Sequence, residues 1–222
     1  MVYDKSLLDK CIYAAWAAFF RPIYKLWIGK VDGLENIPKN QAFIIAANHA
    51  SYFDTVLPHS LIIPITNKKI HALVNSRYWG NPITDTILDG SECIKVYIGE
   101  NAKGNLESLE KALYYLKKGD IVLMFPEGSR SPDGKLRKAY SGIARLALKS
   151  QAPVLTFGIV GSHKVLPKGK IFPRFERCEV KIGKPMHFDG YNNKKINEKV
   201  LEDITRKIME DIAKLIGQKY NH

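Results

Sequence analysis

"AFIIAANHASYFD", residues 42–54, joins six apolar residues to a turn that holds a histidine, a serine and an aspartate. A short uncharged run of this kind reads as a strand buried on both faces, and such a strand calls for helices packed on either side of a sheet. The polar end reads in two ways. With a helix starting after "NHA", Ser51 is the N-cap and Asp54 stands at N3, the spacing of a capping box. That accounts for Ser51 and Asp54 and leaves Asn48 and His49 unexplained. With His49 in the turn before the helix, its imidazole reaches the Asp54 carboxylate. The contact fixes the tautomer and leaves the second ring nitrogen to take a proton from a hydroxyl.

Outward from this stretch, strands are predicted at "HALVN" (71–75), "CIKVYI" (93–98), "IVLMF" (121–125), "PVLTFGIV" (153–160) and "CEVKIG" (178–183). Helices are predicted over "NLESLEKALYYLKKGD" (105–120) and "GIARLALKS" (142–150). The first places Leu106, Leu109, Leu113 and Leu116 on one face and stops at Gly119. "YWGNPITDTILDG" (78–90) is too broken for a long helix. Over residues 195–216, Ile196, Val200, Ile204, Ile208, Ile212 and Ile216 recur every fourth position and end at Gly217, an amphipathic helix. Strands alternating with helices over 41–185 predict an α/β fold, one domain over residues 31–222.

Thirty-four Lys and Arg against 22 Asp and Glu leave a net charge of +12, which favours anionic partners. No nucleic-acid motif occurs and the basic residues are spread along the chain, so nucleic acid is not an expected partner. Cys11, Cys93 and Cys178 lie far apart with no C-x-x-C pair, which suggests a reducing compartment and neither disulfides nor a zinc knuckle. Cys93 falls in a strand pattern without a neighbouring His and makes a poor nucleophile. Residues 1–30 read as a separate helical segment, helical from residue 6 to about 28. "CIYAAWAAFF" (11–20) lacks a cleavage site, and Arg21 and Pro22 interrupt it at half of the roughly 20 apolar residues a membrane span needs. Lys10, Arg21, Lys25 and Lys30 flank Trp16, Phe19, Phe20, Tyr24 and Trp27, the mixture used by a helix lying in a membrane interface. A helix packed on its own domain is the competing reading.

A second polar segment, "FPEGSRS" (125–131), follows the most apolar strand, and ligands collect at strand ends in open α/β sheets. Gly128 permits close backbone approach, Ser129 and Ser131 offer donors, and Arg130 offers the planar fork suited to phosphate. A metal site of His49, Asp54 and His59 is disfavoured because those positions drift around a helix. His59, His71, His163, His187 and His222 read as surface or hydrogen-bonded residues. "LPKGKIFPRFER" (166–177) mixes Lys168, Lys170, Arg174 and Arg177 with Phe172 and Phe175, either a solvated loop or a contact with lipid headgroups or donor phosphates.

Together the two segments resemble the glycerolipid acyltransferase family that includes lysophosphatidic acid acyltransferases. Its signature is Asn-His with an Asp five residues after the His, then Phe-Pro-Glu-Gly-Thr-Arg; here stand Asn48, His49 and Asp54, then Phe125, Pro126, Glu127, Gly128, Ser129 and Arg130. The resemblance covers roughly residues 30–187, and residues 1–30 resemble the membrane-docking helices of bacterial members. It implies a mixed sheet flanked by helices, at the cytoplasmic face of a membrane with anionic lipids. It also implies transfer of a fatty acyl group from acyl-CoA or acyl carrier protein to a lysophospholipid acceptor, expected to be 1-acyl-sn-glycerol-3-phosphate, without a cofactor. His49 and Asp54 are then the catalytic residues, and Asn48, Ser51, Glu127, Gly128, Ser129 and Arg130 the substrate-binding ones. Three positions depart from the pattern: Ile98 where the family carries an Arg, Asn75 where it carries a Lys, and Thr156 where it carries a second proline. A non-catalytic lipid-binding relative, or an acyltransferase with another acceptor, is the rival reading.

Overall fold

The computed structural model describes residues 25–97, 102–170, 172–191 and 196–222. Seven strands form one sheet: β1 (Ile28–Asp32), β2 (Ile44–Ala47), β3 (Ile70–Asn75), β4 (Ile94–Val96), β5 (Ile121–Met124), β6 (Val154–Val160) and β7 (Cys178–Ile182). Their order is β1-β7-β6-β2-β5-β3-β4. All neighbours run parallel except β6 and β7, so the sheet is mixed as expected. Beside them stand α1 (Val56–Thr66), α2 (Pro82–Gly90), α3 (Ala102–Lys117), α4 (Gly142–Ser150), the single turn α5 (Ser162–Val165) and α6 (Glu198–Ile216).

The central strands are apolar along their whole length because helices cover both faces. Ile44, Ala46 and Val122 point to one core with Ile143 and Leu146 of α4 and Ile204, Ile208 and Ile212 of α6. Ile45, Ala47 and Leu123 point to the other with Leu57 and Ile62 of α1. The C-terminal helix follows its isoleucine repeat from Val200 and ends at Gly217 in the left-handed conformation, φ +70°. Ile196 precedes it and is 44% exposed.

Three elements differ from the sequence reading. Helical periodicity was expected to continue to about residue 28, yet Ile28 opens β1, which pairs with β7 at the sheet edge; the remainder of the expected helix, residues 6–24, lies outside the described residues. The broken segment at 78–90 holds the nine-residue α2, started by Asn81, whose side chain accepts from the Ile83 N–H at 3.0 Å, and by Pro82 at N1. On α3 the leucine stripe is buried only in part: Leu116 is buried and Leu109 and Leu113 pack against the core, whereas Leu106 is 51% exposed, and Ser108, Ala112 and Tyr115 complete the buried face. Small residues let the helix approach β4 closely, and the Ser108 hydroxyl donates to the Lys95 carbonyl.

Candidate active site

Strand β2 ends at Ala47, and the next residue continues its ladder with a side chain in place of a peptide. The Asn48 amide donates to the Ile159 carbonyl at 2.9 Å and its oxygen accepts from the Ile159 N–H at 2.7 Å. This anchors the turn on β6 and delivers His49 to the carboxyl edge of the sheet. β5 lies beside β2, with Ala46 opposite Met124, so the segment after β5 arrives at the same place. Glu127 accepts from the His49 N–H through Oε1 and from the Arg137 N–H through Oε2, both at 2.9 Å. The Ser131 N–H donates to the His49 carbonyl at 2.7 Å. Both backbone groups of His49 are therefore held by the second segment.

The imidazole is fixed as firmly. Its Nδ1 lies 3.0 Å from Asp54 Oδ2, and its ring stacks on Phe125 with centroids 4.0 Å apart and planes 18° from parallel. The carboxylate makes Nδ1 the protonated nitrogen, so Nε2 carries the lone pair. With 14% of the side chain accessible, that lone pair has a route to a substrate.

Asp54 fulfils both sequence readings at once. Its Oδ2 also accepts from the Ala50 and Ser51 N–H groups at 2.6 and 2.7 Å, while Ser51 Oγ accepts from the Phe53 N–H at 3.1 Å. This capping box opens a 3₁₀ turn, Tyr52–Thr55, that runs into α1. The cap holds the carboxylate that holds the histidine. Ser51 Oγ in turn donates to the Leu166 carbonyl at 2.8 Å. Asn48, Ser51 and Glu127 are all buried, and their polar atoms bond protein groups that position the two segments.

His49 faces a cleft of about 760 Å³ at the carboxyl ends of β3, β4 and β5. Its walls come from both faces of the sheet: Ala72, Val74 and Leu88 on one, Leu109, Ala112 and Leu146 on the other. The mouth is basic. Gly128, Ser129 and Arg130 line it with Arg77 and Arg145. Gly128 adopts φ +66° in the turn, a conformation open to glycine, and Ser129 Oγ accepts from Arg137 Nη1 at 2.6 Å. The Arg130 guanidinium lies 3.5 Å above the Tyr52 ring, and its buried Nη1 has no hydrogen-bond partner among the described residues. The Tyr52 hydroxyl meets that of Tyr78 at 3.2 Å, which accepts from Arg77 Nη2 at 3.1 Å. Burial raises the Tyr52 hydroxyl above its usual pKa, with Tyr78 adding to the rise. Glu127 is pushed up to about 7, first by burial, against the lowering effect of the two N–H donors and with a further rise from the Asp54 charge.

Sequence reasoning did not single out Tyr52, Tyr78 or Arg145, because they join the site only through the fold. Asn75 it noted: the Asn75 side chain accepts from the Arg77 N–H at 3.0 Å and caps the turn that carries Arg77, another residue lining the cleft. Thr156, in the place of the family's second proline, donates to Asp211 of α6 at 2.5 Å. His59 bonds the Thr55 carbonyl at 2.8 Å through Nδ1, and buried His71 reaches Asp120 at 3.2 Å. Ile98 lies outside the described residues.

Residues 29–160 match the family model described as Acyltransferase. The chain belongs to the acyltransferase family. The chain is similar to the chloroplastic 1-acyl-sn-glycerol-3-phosphate acyltransferase of Arabidopsis thaliana, 27% identical over 175 residues that cover 78% of this chain and 47% of the relative. The protein of the same name from Bacillus subtilis is 26% identical over 159 residues, 71% of this chain and 73% of that one. The chain spans about half the length of the plant relatives it matches first, 47% and 43%. The acyltransferase fold is also that of a crystal structure of the 1-acyl-sn-glycerophosphate acyltransferase PlsC from Thermotoga maritima. That match has a TM-score of 0.69 at 22% identity, over 100% of this chain and 86% of that one.

Proposed function

We propose that the protein transfers a fatty acyl group from an acyl-CoA or acyl carrier protein thioester to the free hydroxyl of 1-acyl-sn-glycerol-3-phosphate. One observation carries the reading: His49, held by Asp54 at 3.0 Å, lines the same cleft as Arg130. Nε2 takes the proton of the acceptor hydroxyl, and Asp54 stabilises the imidazolium that forms. The oxygen attacks the thioester carbon, the C–S bond breaks, and the thiolate recovers the proton from His49. No cofactor takes part. Arg130 grips the acceptor phosphate, with Arg77 and Arg145 adding positive charge at the mouth, and the apolar walls receive hydrocarbon. Both substrates are large, so holding them within attack distance supplies much of the acceleration.

Residues 1–30 dock the protein on an anionic membrane, from which the acceptor is drawn. Among the described residues no helix is long and apolar enough to cross a membrane. The Ile98 and Asn75 departures favour a second reading, the same chemistry on a lysolipid with a different headgroup. The test is to incubate the purified protein with labelled acyl-CoA, or acyl carrier protein, and a panel of lysolipids, and to weigh the products. The lysophosphatidic acid adduct should dominate; a larger yield from another lysolipid would select the second reading, and no product from any would leave a lipid-binding protein.

A further inference from the structure

The loop between α5 and β7 leaves its apolar side chains uncovered. Residues 168–170 and 172–177 are all exposed, with Phe172 79% and Phe175 106% accessible. Two bare aromatic rings three residues apart are a patch and not scattered surface residues. Around them stand Lys168, Lys170, Arg174 and Arg177, against Glu176 as the one acid. The backbone behind the rings is tied down. The Lys170 N–H donates to the Pro167 carbonyl at 3.0 Å and the Arg174 N–H to the Val165 carbonyl at 2.8 Å, and Pro167 and Pro173 restrict it further. The rings are thus held outward instead of folding back.

Three contacts fix this patch beside the reacting segment. Ser51 Oγ donates to the Leu166 carbonyl at 2.8 Å, and Trp27 Nε1 to the Arg174 carbonyl at 2.8 Å. The Trp27 ring meets Phe53 edge-on at 6.2 Å. Leu26, next to Trp27 in the chain, is 66% exposed and adds to the apolar surface.

We propose that Phe172 and Phe175 insert into the acyl boundary of an anionic bilayer while Lys168, Lys170, Arg174 and Arg177 meet its headgroups. Loop 166–177 is then a membrane-docking element next to the cleft. Apolar tips flanked by basic heads are the chemistry of a membrane interface. A second copy of this chain is a poor occupant, because each copy carries +12 and like-charged surfaces repel. The inference concerns where the protein sits, and it holds whether or not the cleft transfers acyl groups.

The test places a reporter on the loop of the full-length chain. Phe175→Cys in a Cys11→Ser background is labelled with a polarity-sensitive fluorophore; Cys93 and Cys178 are buried and stay unlabelled. Vesicles of phosphatidylcholine containing phosphatidylglycerol should shift the emission to the blue, and high salt should weaken the effect. Emission that is unchanged by such vesicles overturns the proposal. So does a blue shift that grows with protein concentration alone, which would assign the patch to a second copy, or one produced only by acyl carrier protein. In a second measurement, unlabelled Phe172→Ser/Phe175→Ser should partition at least tenfold less onto the anionic vesicles, the loss expected when apolar side chains no longer leave water. Equal partition of the double variant and the parent would also overturn it. The rings being exposed, the melting temperature of the double variant should match that of the parent.

Discussion

Glu127 clamps His49 and Arg137 through its two oxygens, at 2.9 Å each, so Glu127→Gln is a one-atom test of that clamp. The amide has one acceptor oxygen, and whichever N–H meets the NH2 group loses its partner in a buried place, a cost of roughly 1–3 kcal/mol. The carboxyl carries an opposing effect. Burial raises it from 4.5 to about 7 in the folded protein. Below pH 4.5 both folded and unfolded chains hold the proton and its stabilising contribution is complete. Between 4.5 and about 7 the unfolded chain releases the proton first, so stability falls as pH rises. Above 7 the loss is complete, and at about 1.4 kcal/mol per pH unit it amounts to about 3 kcal/mol. Glutamine has no such proton. Urea unfolding of both proteins from pH 4.5 to 8 should therefore show a destabilisation by the substitution that is largest at the acid end and shrinks by about 3 kcal/mol toward neutral pH. Parallel stability curves would refute the reasoning.

Asp54→Asn keeps an oxygen for the cap and removes the charge behind the imidazole, and kcat should fall on the order of 10³-fold. Ser51→Ala is its control: it should cost about 1–2 kcal/mol in urea unfolding and leave kcat within severalfold. Arg130→Lys should raise the acceptor KM at least tenfold in steady-state kinetics and the donor KM far less, because a point charge cannot reproduce the fork on phosphate. Asn48→Ala leaves the buried Ile159 N–H and carbonyl without the partners they have at 2.7 and 2.9 Å, and urea unfolding should register a loss of about 2–4 kcal/mol.

Much of this site was legible because it is local. "NHASYFD" contains the base, its carboxylate and the cap within seven residues, and one turn of chain satisfies all three. Its two readings were not alternatives: the N–H groups that Asp54 caps and the imidazole it holds share one oxygen. The meeting of this turn with "FPEGSRS" is not local. It follows from β2 and β5 being neighbours, which no periodicity states; the family resemblance supplied it. Tyr52, Tyr78 and Arg145 were missed for the same reason, each lying on a different element and converging only at the carboxyl edge of the sheet. On α3 the leucine stripe marked only part of the buried face: Leu106 is exposed, while Ser108 and Ala112, small enough for close packing on β4, are buried with Leu116. β1 carried too weak a pattern, with Gly29 and Lys30 exposed in its middle, to be told from the end of a helix.

The central claim is that Nε2 of His49 takes the proton of a lysolipid hydroxyl. The most direct measurement compares the full-length protein with His49→Ala, matched for folding, on labelled acyl thioester and 1-acyl-sn-glycerol-3-phosphate, with product read by mass and thiol release followed in parallel. The account predicts a diacyl product and equimolar thiol from the parent protein, with both falling to background in His49→Ala. Turnover by His49→Ala within tenfold of the parent would contradict it.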